Sequence, residues 1–449
     1  MPDRFGGAVQ NWAIALTSVT RAAGRVLVLG LSAALACSVG VFGVAPAAQA
    51  DEARSEQWQL SALDARDAWK VSTGKGVVVA VIDSGVDAKH PDLVGQVLPG
   101  IDFVDPKAGD QGMVDPVGHG TTVAALIAGS NSDNSGAEGI APGAKILPIR
   151  VLDKANKYDD PGVIAKALRW AVDHHASVIN LSLGGALRSE AIAEALRYAA
   201  EHDVVVVACT GNIATDPSIH EVWYPAREPG VVAVAGLGAA SPRGPETLWA
   251  GSLTGPETVL TAPAVNLTGA KPGGGYWVVQ GTSFATPLVA GAASLVRARY
   301  PRMSAANVIN RLIGTAKDLG PAGRDDRFGY GEVDPVAALH DTIGEVDSNP
   351  LAEVGPPPVS ATGEAGEAGE ADELHADAAP AEGAESQRPG GAAPMPDGAD
   401  QPQEQRLASE ARTQLSALAG LTAMLLISAL GAGGVLFHQR RRNNGRWNR

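Results

Sequence analysis

Five short runs of apolar, mostly β-branched residues recur through the middle of this sequence, with polar and helical segments between them. The runs cover residues 76–82, 144–151, 177–183, 204–208 and 231–235. The segments 163–175 and 190–202 carry apolar residues at helical spacing. A strand that is apolar on both faces has to be covered on both faces, which is typical of a parallel sheet between two layers of helices. The sequence therefore predicts a three-layer α/β fold with a mainly parallel central sheet.

Composition excludes several classes of partner and site. The formal net charge is −14 at pH 7 and the pI is about 5.1, whereas a protein that binds nucleic acid needs a basic face. The chain has two cysteines, Cys37 and Cys209, so a disulfide scaffold and a cysteine-based zinc site are both excluded. We expect no nucleic-acid partner.

The first 50 residues have the pattern of a secretion signal. Arg21 and Arg25 precede an uncharged stretch, and Ala48 and Ala50 supply the small residues that signal peptidase requires. Cleavage after Ala50 would remove residues 1–50, including Cys37. An uncleaved membrane anchor and a lipidated Cys37 are the alternative interpretations of this segment.

The other end of the chain predicts a membrane anchor. Residues 415–437 carry no charge and are long enough to cross a bilayer as a helix, so the lipid bilayer is an expected partner. Arginines follow at once in residues 438–449, and arginines beside a span stay cytoplasmic, so this basic tail is predicted inside and the rest outside. The alternative is a buried core helix. Residues 345–414, rich in Pro, Ala, Glu and Gly, are predicted to form an acidic linker.

Three polar residues stand where a predicted strand passes into a predicted helix. Asp83 is the first charge after the run 76–82, His119 lies between two glycines, and Ser283 lies at the mouth of a long helix. Taken singly, Asp or Ser at such a place is commonly a helix cap or turn residue, and a lone His is more often structural. Taken together, Asp, His and Ser in this order in an α/β chain match one of the known orders of the serine-hydrolase triad.

The triad interpretation gives each residue a chemical role. The Ser283 hydroxyl is a poor nucleophile until a base takes its proton, and His119 is the expected base and later the acid for the leaving amine. Asp83 is expected to hold the imidazole tautomer and to stabilise its charged form. Asn212 follows the run 204–208 and is the expected side-chain donor to the oxyanion, beside the Ser283 N–H; an Asn here also commonly just turns the chain.

The blocks around these residues resemble the subtilisin-like serine peptidases, from about residue 58 to residue 339. The most specific block is Gly-Thr-Ser-Phe-Ala-Thr-Pro at 281–287. The resemblance implies a subtilisin-like peptidase domain over residues 51–344, an endopeptidase that works through an acyl-enzyme, and protein or peptide substrates. It also implies a substrate-binding strand, made of Leu181, Ser182, Leu183 and Gly184.

The resemblance implies no required cofactor. Subtilases often bind calcium, and four acids lie between the predicted triad Asp and His: Asp102, Asp105, Asp110 and Asp115. Their spacing fits no defined calcium loop, so no metal site is predicted, and calcium binding stays an alternative that the sequence does not indicate.

The order of segments is similar to that of the mycosins, membrane-anchored proteases that accompany type VII secretion. This implies a cell-membrane location, an extracytoplasmic catalytic domain and a secretion complex as partner. Mycosins usually carry disulfides in the catalytic domain, whereas this one holds Cys209 alone. Seven residues between Ala50 and Trp58 leave no room for a folded pro-domain, so restraint is expected to come from elsewhere, such as partners at the membrane. The alternatives are a general cell-surface subtilase and a structural component of a secretion complex.

Overall fold

A computed structural model describes residues 53–130, 136–158, 160–213, 220–238, 247–352 and 390–392. Seven strands form the central sheet in the order β2-β3-β1-β5-β7-β8-β9, and every neighbouring pair is parallel. These strands are β1 (Val78–Asp83), β2 (Ile101–Asp102), β3 (Lys145–Arg150), β5 (Val178–Leu181), β7 (Val205–Cys209), β8 (Val232–Leu237) and β9 (Leu260–Pro263).

The five apolar runs of the sequence form β1, β3, β5, β7 and β8, and all but the first residue of β1 and of β3 are buried. Burial of consecutive residues removes both faces of a strand from water, as expected for a parallel sheet between two helical layers. The predicted α/β fold with a mainly parallel central sheet is therefore confirmed.

The helices cover the two faces of this sheet. The helices are α1 (Trp58–Ala62), α2 (Ala65–Ala68), α3 (His119–Ala128), α4 (Pro161–Asp173), α5 (Glu190–Glu201), α6 (Thr282–Arg299), α7 (Ala305–Gly314) and α8 (Pro335–His340), with a 3-10 turn at Pro91–Leu93. The chain leaves β1, forms β2 at the outer edge of the sheet and reaches β3 through α3; it then passes β1 and reaches β5 through α4. As expected for two helical layers, these helices pack in two separate pairs. Helix α6 packs with α3, and α5 packs with α4.

Two small sheets lie beside the central one. Strands β10 (Leu267–Ala270) and β11 (Tyr276–Val279) pair antiparallel. A second sheet has the order β4-β12-β6, where β4 is Lys157–Tyr158, β6 is Leu183–Gly184 and β12 is Gly390–Ala392. Strand β12 belongs to the stretch 345–414 that the sequence predicts as a linker.

The packed chain also runs past the predicted domain end at residue 344. Leu351 is fully buried, its carbonyl accepts a 2.9 Å hydrogen bond from the Gly230 N–H, and Asn349 Nδ2 donates to the Gly230 carbonyl at 3.0 Å. In the sequence, the apolar Leu351 indicates a packed residue, but the linker composition around it obscured this signal.

The predicted signal peptide 1–50, the predicted transmembrane helix 415–437 and the basic tail 438–449 lie outside the described residues. Within the residues that the structure describes, no helix is long and apolar enough to cross a bilayer.

Candidate active site

The carboxyl edge of the central sheet brings the predicted site residues together. Asp83 is the last residue of β1, and Asn212 follows β7 by three residues. His119 is the first residue of α3 and Ser283 the second residue of α6, each at a helix that begins after a glycine with positive φ. Catalytic groups of parallel sheets gather at this edge because every strand there passes into a loop or helix.

Asp83 and His119 form a direct pair. His119 Nδ1 lies 2.8 Å from Asp83 Oδ1, and both side chains are completely buried. The same carboxylate oxygen accepts the Ser84 N–H at 2.7 Å, so two donors hold it in place. With Nδ1 bound to the carboxylate, the imidazole presents Nε2 as its free nitrogen.

Ser283 lies beside this pair. The ring of Phe284, the next residue in α6, is 5.2 Å from the His119 ring between centroids, so the start of α6 is against the imidazole. On the other side, Asn212 Oδ1 accepts the Thr282 N–H at 3.0 Å and the Thr282 hydroxyl at 3.1 Å. Asn212 is thereby held to Thr282, the residue before Ser283, while the Asn212 amide nitrogen makes no hydrogen bond to the described residues.

Besides Asp83 Oδ2, three atoms of this cluster are buried and have no hydrogen-bond partner among the described residues. They are His119 Nε2, Ser283 Oγ and Asn212 Nδ2. A buried polar group without a partner costs about 1–3 kcal/mol, so three together mark a place built for polar atoms of another molecule. A base, a hydroxyl and an amide donor are the groups that acyl transfer needs.

Asp115 supports this cluster, a role that reasoning from the sequence missed. Its Oδ1 accepts from Ser84 Oγ at 2.9 Å and from the backbone N–H of Val117 and Gly118, and its Oδ2 accepts from both N and Oγ1 of Thr121. Burial raises the pKa of the Asp115 carboxyl, although these hydrogen bonds act in the opposite direction. The carboxylate thus holds the loop before His119 against the end of β1.

The other acids of the predicted acidic loop form ion pairs or hydrogen bonds with groups of this same chain. Asp102 Oδ2 pairs with Arg150 at 2.8 Å, and its Oδ1 accepts two backbone N–H groups. Asp105 and Asp110 each accept a backbone N–H two residues on. No group of three or more His, Cys, Asp or Glu residues converges as metal ligands in the part of the chain that the structure describes.

The four residues predicted to bind substrate have different positions. Leu181 ends β5 and is fully buried opposite Ala208, inside the central sheet. Ser182 Oγ donates to the Ser283 carbonyl at 2.6 Å and accepts from Asn180 Nδ2 at 2.9 Å, so it braces α6. Leu183 and Gly184 form β6. Of these four residues, Ser182 contacts Ser283 directly, and the substrate-binding role of the strand stays a prediction.

Gly120 allows α3 to approach the end of β1 closely. A Cβ atom on Gly120 would lie 2.1 Å from the Gly85 carbonyl oxygen and 3.1 Å from Asp83 Cβ. We expect Gly120→Ala to lower the free energy of unfolding by about 1–3 kcal/mol or more, because backbone has to move away. Urea unfolding of the purified chain measures this. Gly344→Ala is the matched control, since its Cβ meets nothing within 4 Å. Equal stability of the two variants would contradict the prediction.

Cys209, at the end of β7, is a free and fully buried thiol. Burial raises its pKa from 9.0 to about 12. At pH 8 we expect iodoacetamide to alkylate the native protein about 10³-fold more slowly than the protein in guanidinium, because the thiolate fraction falls in that proportion. Mass spectrometry over time measures both rates, and equal rates would contradict the prediction. Because the folded state holds this proton more tightly, the thiol's contribution to stability is present below pH 9 and is lost as the pH rises towards 12.

Comparison with known proteins gives the family. A model of the subtilase family of peptidases matches residues 74–331. Subtilisin of Bacillus pumilus is 37% identical over 260 residues, which cover 58% of this chain and 89% of that protein. Fervidolysin of Fervidobacterium pennivorans, whose crystal structure is described as that of a keratinolytic enzyme related to subtilisin, is 36% identical over 315 residues, 64% of this chain. This chain spans 44% of the fervidolysin sequence.

Solved structures agree with this assignment. The fervidolysin crystal structure has a TM-score of 0.58 at 34% identity, covering 64% of this chain and 47% of that one. A structure of the serine protease MycP1, described as an essential component of the type VII (ESX-1) secretion system, has a TM-score of 0.54 at 33% identity and covers 63% of this chain and 88% of that one. The family expected from the blocks around Asp83, His119 and Ser283 is therefore confirmed: this chain belongs to the subtilase family of serine endopeptidases.

Proposed function

We propose that this protein is a serine endopeptidase that hydrolyses peptide bonds of proteins or peptides through an acyl-enzyme on Ser283. The observation that carries the proposal is the hydrogen bond between His119 Nδ1 and Asp83 Oδ1 at 2.8 Å. In addition, His119 Nε2 and Ser283 Oγ are both buried and have no hydrogen-bond partner within the part of the chain that the structure describes. This leaves one imidazole nitrogen for proton transfer and one hydroxyl for attack.

The reaction follows from these positions. His119 Nε2 takes the Ser283 proton as Oγ attacks the peptide carbonyl carbon, and the imidazolium then protonates the leaving amine. Water then attacks the acyl carbon and loses a proton to the same nitrogen. The bond between Ser283 Oγ and the acyl carbon breaks, the acid product leaves, and Oγ takes the proton back from His119. Asp83, buried beside the ring, stabilises the imidazolium in both halves. No cofactor enters these steps.

Two donors are available to the oxyanion. The N–H of Ser283 belongs to the first turn of α6, where backbone N–H groups have no partner within the helix. Asn212 Nδ2 has no hydrogen-bond partner among the described residues, and its orientation is set because Thr282 holds Oδ1. A donor held in advance stabilises the charge that develops on the carbonyl oxygen without reorganising at the moment of reaction.

The test is covalent labelling of the full-length protein with a fluorophosphonate probe. We expect labelling of the wild-type protein on Ser283 and none of Ser283→Ala, with both variants equally folded by circular dichroism. A folded wild-type protein that stays unlabelled would contradict the proposal.

We also propose a mycosin-like protease, exported and held at the cell membrane, that accompanies type VII secretion. Two observations support this. MycP1 is 33% identical, in an alignment that covers 88% of its solved chain. The sequence has the pattern of a secretion signal at its N-terminus, an acidic stretch rich in Pro, Ala, Glu and Gly, and a C-terminal apolar segment followed by arginines. The bilayer is the proposed partner of residues 415–437, and the secretion complex that of the protein as a whole.

Localisation and role are tested in the source cells. Externally added protease is expected to digest the catalytic domain of whole cells, while an epitope after residue 449 stays protected. Secretion through a type VII system should stop on deletion of the gene. If Ser283→Ala restores secretion in the deletion strain, the structural role outweighs proteolysis; if deletion leaves secretion intact, the protein is a general cell-surface subtilase.

A further inference from the structure

Residues 390–392, which lie 107 positions after Ser283 at their nearest, form a strand in the middle of the small sheet beside the candidate active site. Strand β12 (Gly390–Ala392) pairs antiparallel with β6 on one side, Gly391 opposite Gly184 and Ala392 opposite Leu183. On its other side it pairs antiparallel with β4, Gly390 opposite Tyr158 and Gly391 opposite Lys157. Both edges of this short segment are therefore satisfied by backbone of the catalytic domain.

Strand β6 leads directly to the nucleophile. Ser182 precedes Leu183, and its Oγ donates to the Ser283 carbonyl at 2.6 Å. An antiparallel partner of β6 that passes Gly184 and then Leu183 is thus heading for Ser182 and Ser283. Gly184 contributes to the close approach of strands here, since a Cβ on it would lie 2.6 Å from the Tyr224 carbonyl oxygen. The space between β4 and β6, which we call the peptide track, holds one extended strand of peptide.

The reacting groups at the end of this track are sealed from solvent. Asp83, His119 and Ser283 are all 0% exposed, and His119 Nε2 and Ser283 Oγ have no partner among the described residues. Hydrolysis requires a substrate carbonyl to reach Ser283 Oγ. In a structure that already holds a strand on this track, access for a second strand requires the first to leave.

We propose that residues 390–392 are a resident pseudosubstrate, which occupies the peptide track between β4 and β6 and competes with substrates for it. This inference rests on the proposed peptidase function. Addition of a strand to a sheet edge takes its affinity from backbone hydrogen bonds and its specificity from side-chain pockets. Gly390 and Gly391 offer no side chains, so the resident strand binds weakly, and a peptide that fills pockets displaces it.

The sequence after Ala392 bears on whether the resident strand is cut. Ala393 is followed by Pro394, whose nitrogen carries a ring carbon in place of hydrogen, and this crowds a leaving nitrogen that has to be protonated. We expect the bond between Ala393 and Pro394 to stay intact.

The size of the effect follows from tethering. A flexibly linked ligand has an effective concentration of about 1 mM. For a strand that binds with a Kd of about 0.1–1 mM, a competitor of this kind raises the KM of a substrate about 2- to 10-fold and leaves kcat unchanged.

The kinetic test uses the full-length protein and a short chromogenic peptide. Gly391→Pro removes a backbone N–H in the middle of a strand that pairs on both sides. We expect its KM to fall about 2- to 10-fold at constant kcat, and a free peptide of sequence 387–394 to inhibit this variant competitively. Gly366→Pro, in the repeat of the linker, is the matched control and should behave as the wild-type protein. Equal KM values for all three proteins would overturn the proposal.

A second measurement does not depend on catalysis. In the Ser283→Ala background, we expect Gly391→Pro to speed hydrogen–deuterium exchange of peptides that contain residues 157–158 and 183–184, and Gly366→Pro to leave it unchanged. If exchange is unchanged in both Gly391→Pro and Gly366→Pro, residues 390–392 are not docked between β4 and β6, even if the enzyme is active. If exchange is faster in Gly391→Pro but a fluorophosphonate does not label the wild-type protein, the docked strand is supported and the peptidase function is contradicted. A cut found within 390–394 of the wild-type protein would make the segment a substrate and overturn its role as a resident ligand.

Discussion

Replacing Asp83 with asparagine is expected to lower kcat about 10⁴-fold, the loss that the same change causes in the trypsin-type triad. Asp83 Oδ1 already holds both His119 Nδ1 and the Ser84 N–H, so an asparagine oxygen can keep both contacts. What disappears is the negative charge that stabilises the imidazolium, in a site with no exposure to water. The new amide nitrogen would also stand where Asp83 Oδ2 now has no partner among the described residues. Steady-state hydrolysis of a peptide substrate measures the loss.

Asp67→Asn is the control for this change. It removes a carboxylate that pairs with Lys70 at the surface, where both side chains are more than half exposed, and we expect kcat to stay within about 2-fold of the wild-type value. A kcat of Asp83→Asn equal to that of Asp67→Asn would contradict the assignment of Asp83 to the triad.

Replacing Asn212 with alanine is expected to lower kcat about 10²- to 10³-fold, with KM nearly unchanged. This magnitude is the one known for the oxyanion asparagine of subtilisin. The split between kcat and KM follows because the oxyanion exists only in the transition state, so the donor adds nothing to substrate binding. Asn212 is 3% exposed and is held through Oδ1 by Thr282, which leaves Nδ2 as the group that is lost.

Asn212→Asp separates the two functions of this side chain. An aspartate keeps an oxygen for the N–H and hydroxyl of Thr282 but has no amide donor. We expect kcat to fall at least as far as in Asn212→Ala, since a carboxylate also repels the oxyanion. A kcat close to that of the wild-type protein in Asn212→Asp would show that the acceptor alone matters, and it would reject the donor role.

Much of the fold follows from local sequence. The runs that form β1, β3, β5, β7 and β8 are apolar without interruption, and only a strand covered on both faces uses such a pattern. Asp83, His119 and Ser283 were recognisable for the same reason, because a polar residue at the end of a buried strand or at the start of a helix interrupts the pattern. The glycines at 118 and 120 marked close approach, and Gly120 indeed lies against the Gly85 carbonyl.

Contacts between distant segments left no such pattern. Asp115 and Ser84 are separated by 31 residues and form one hydrogen-bond network, yet the sequence places Asp115 among acids that suggested a cation. Ser182 reaches Ser283 across 101 residues, while Leu181, adjacent in sequence, is turned into the core. Alternation along a strand sends neighbours to opposite faces, and the face that meets the site depends on which elements pack there.

The reacting groups can therefore be identified from residue type and order, because Asp83, His119 and Ser283 stand at strand or helix ends in the order of a serine-hydrolase triad. The residues that support these groups, and the access of a substrate to them, cannot be identified in this way, because both depend on pairing between segments far apart in the chain. Nothing in the sequence Gly390-Gly391-Ala392 distinguishes it from the rest of a linker rich in Gly and Ala. Its place between β4 and β6 comes from backbone hydrogen bonds, which any residue but proline can make and which composition therefore does not record.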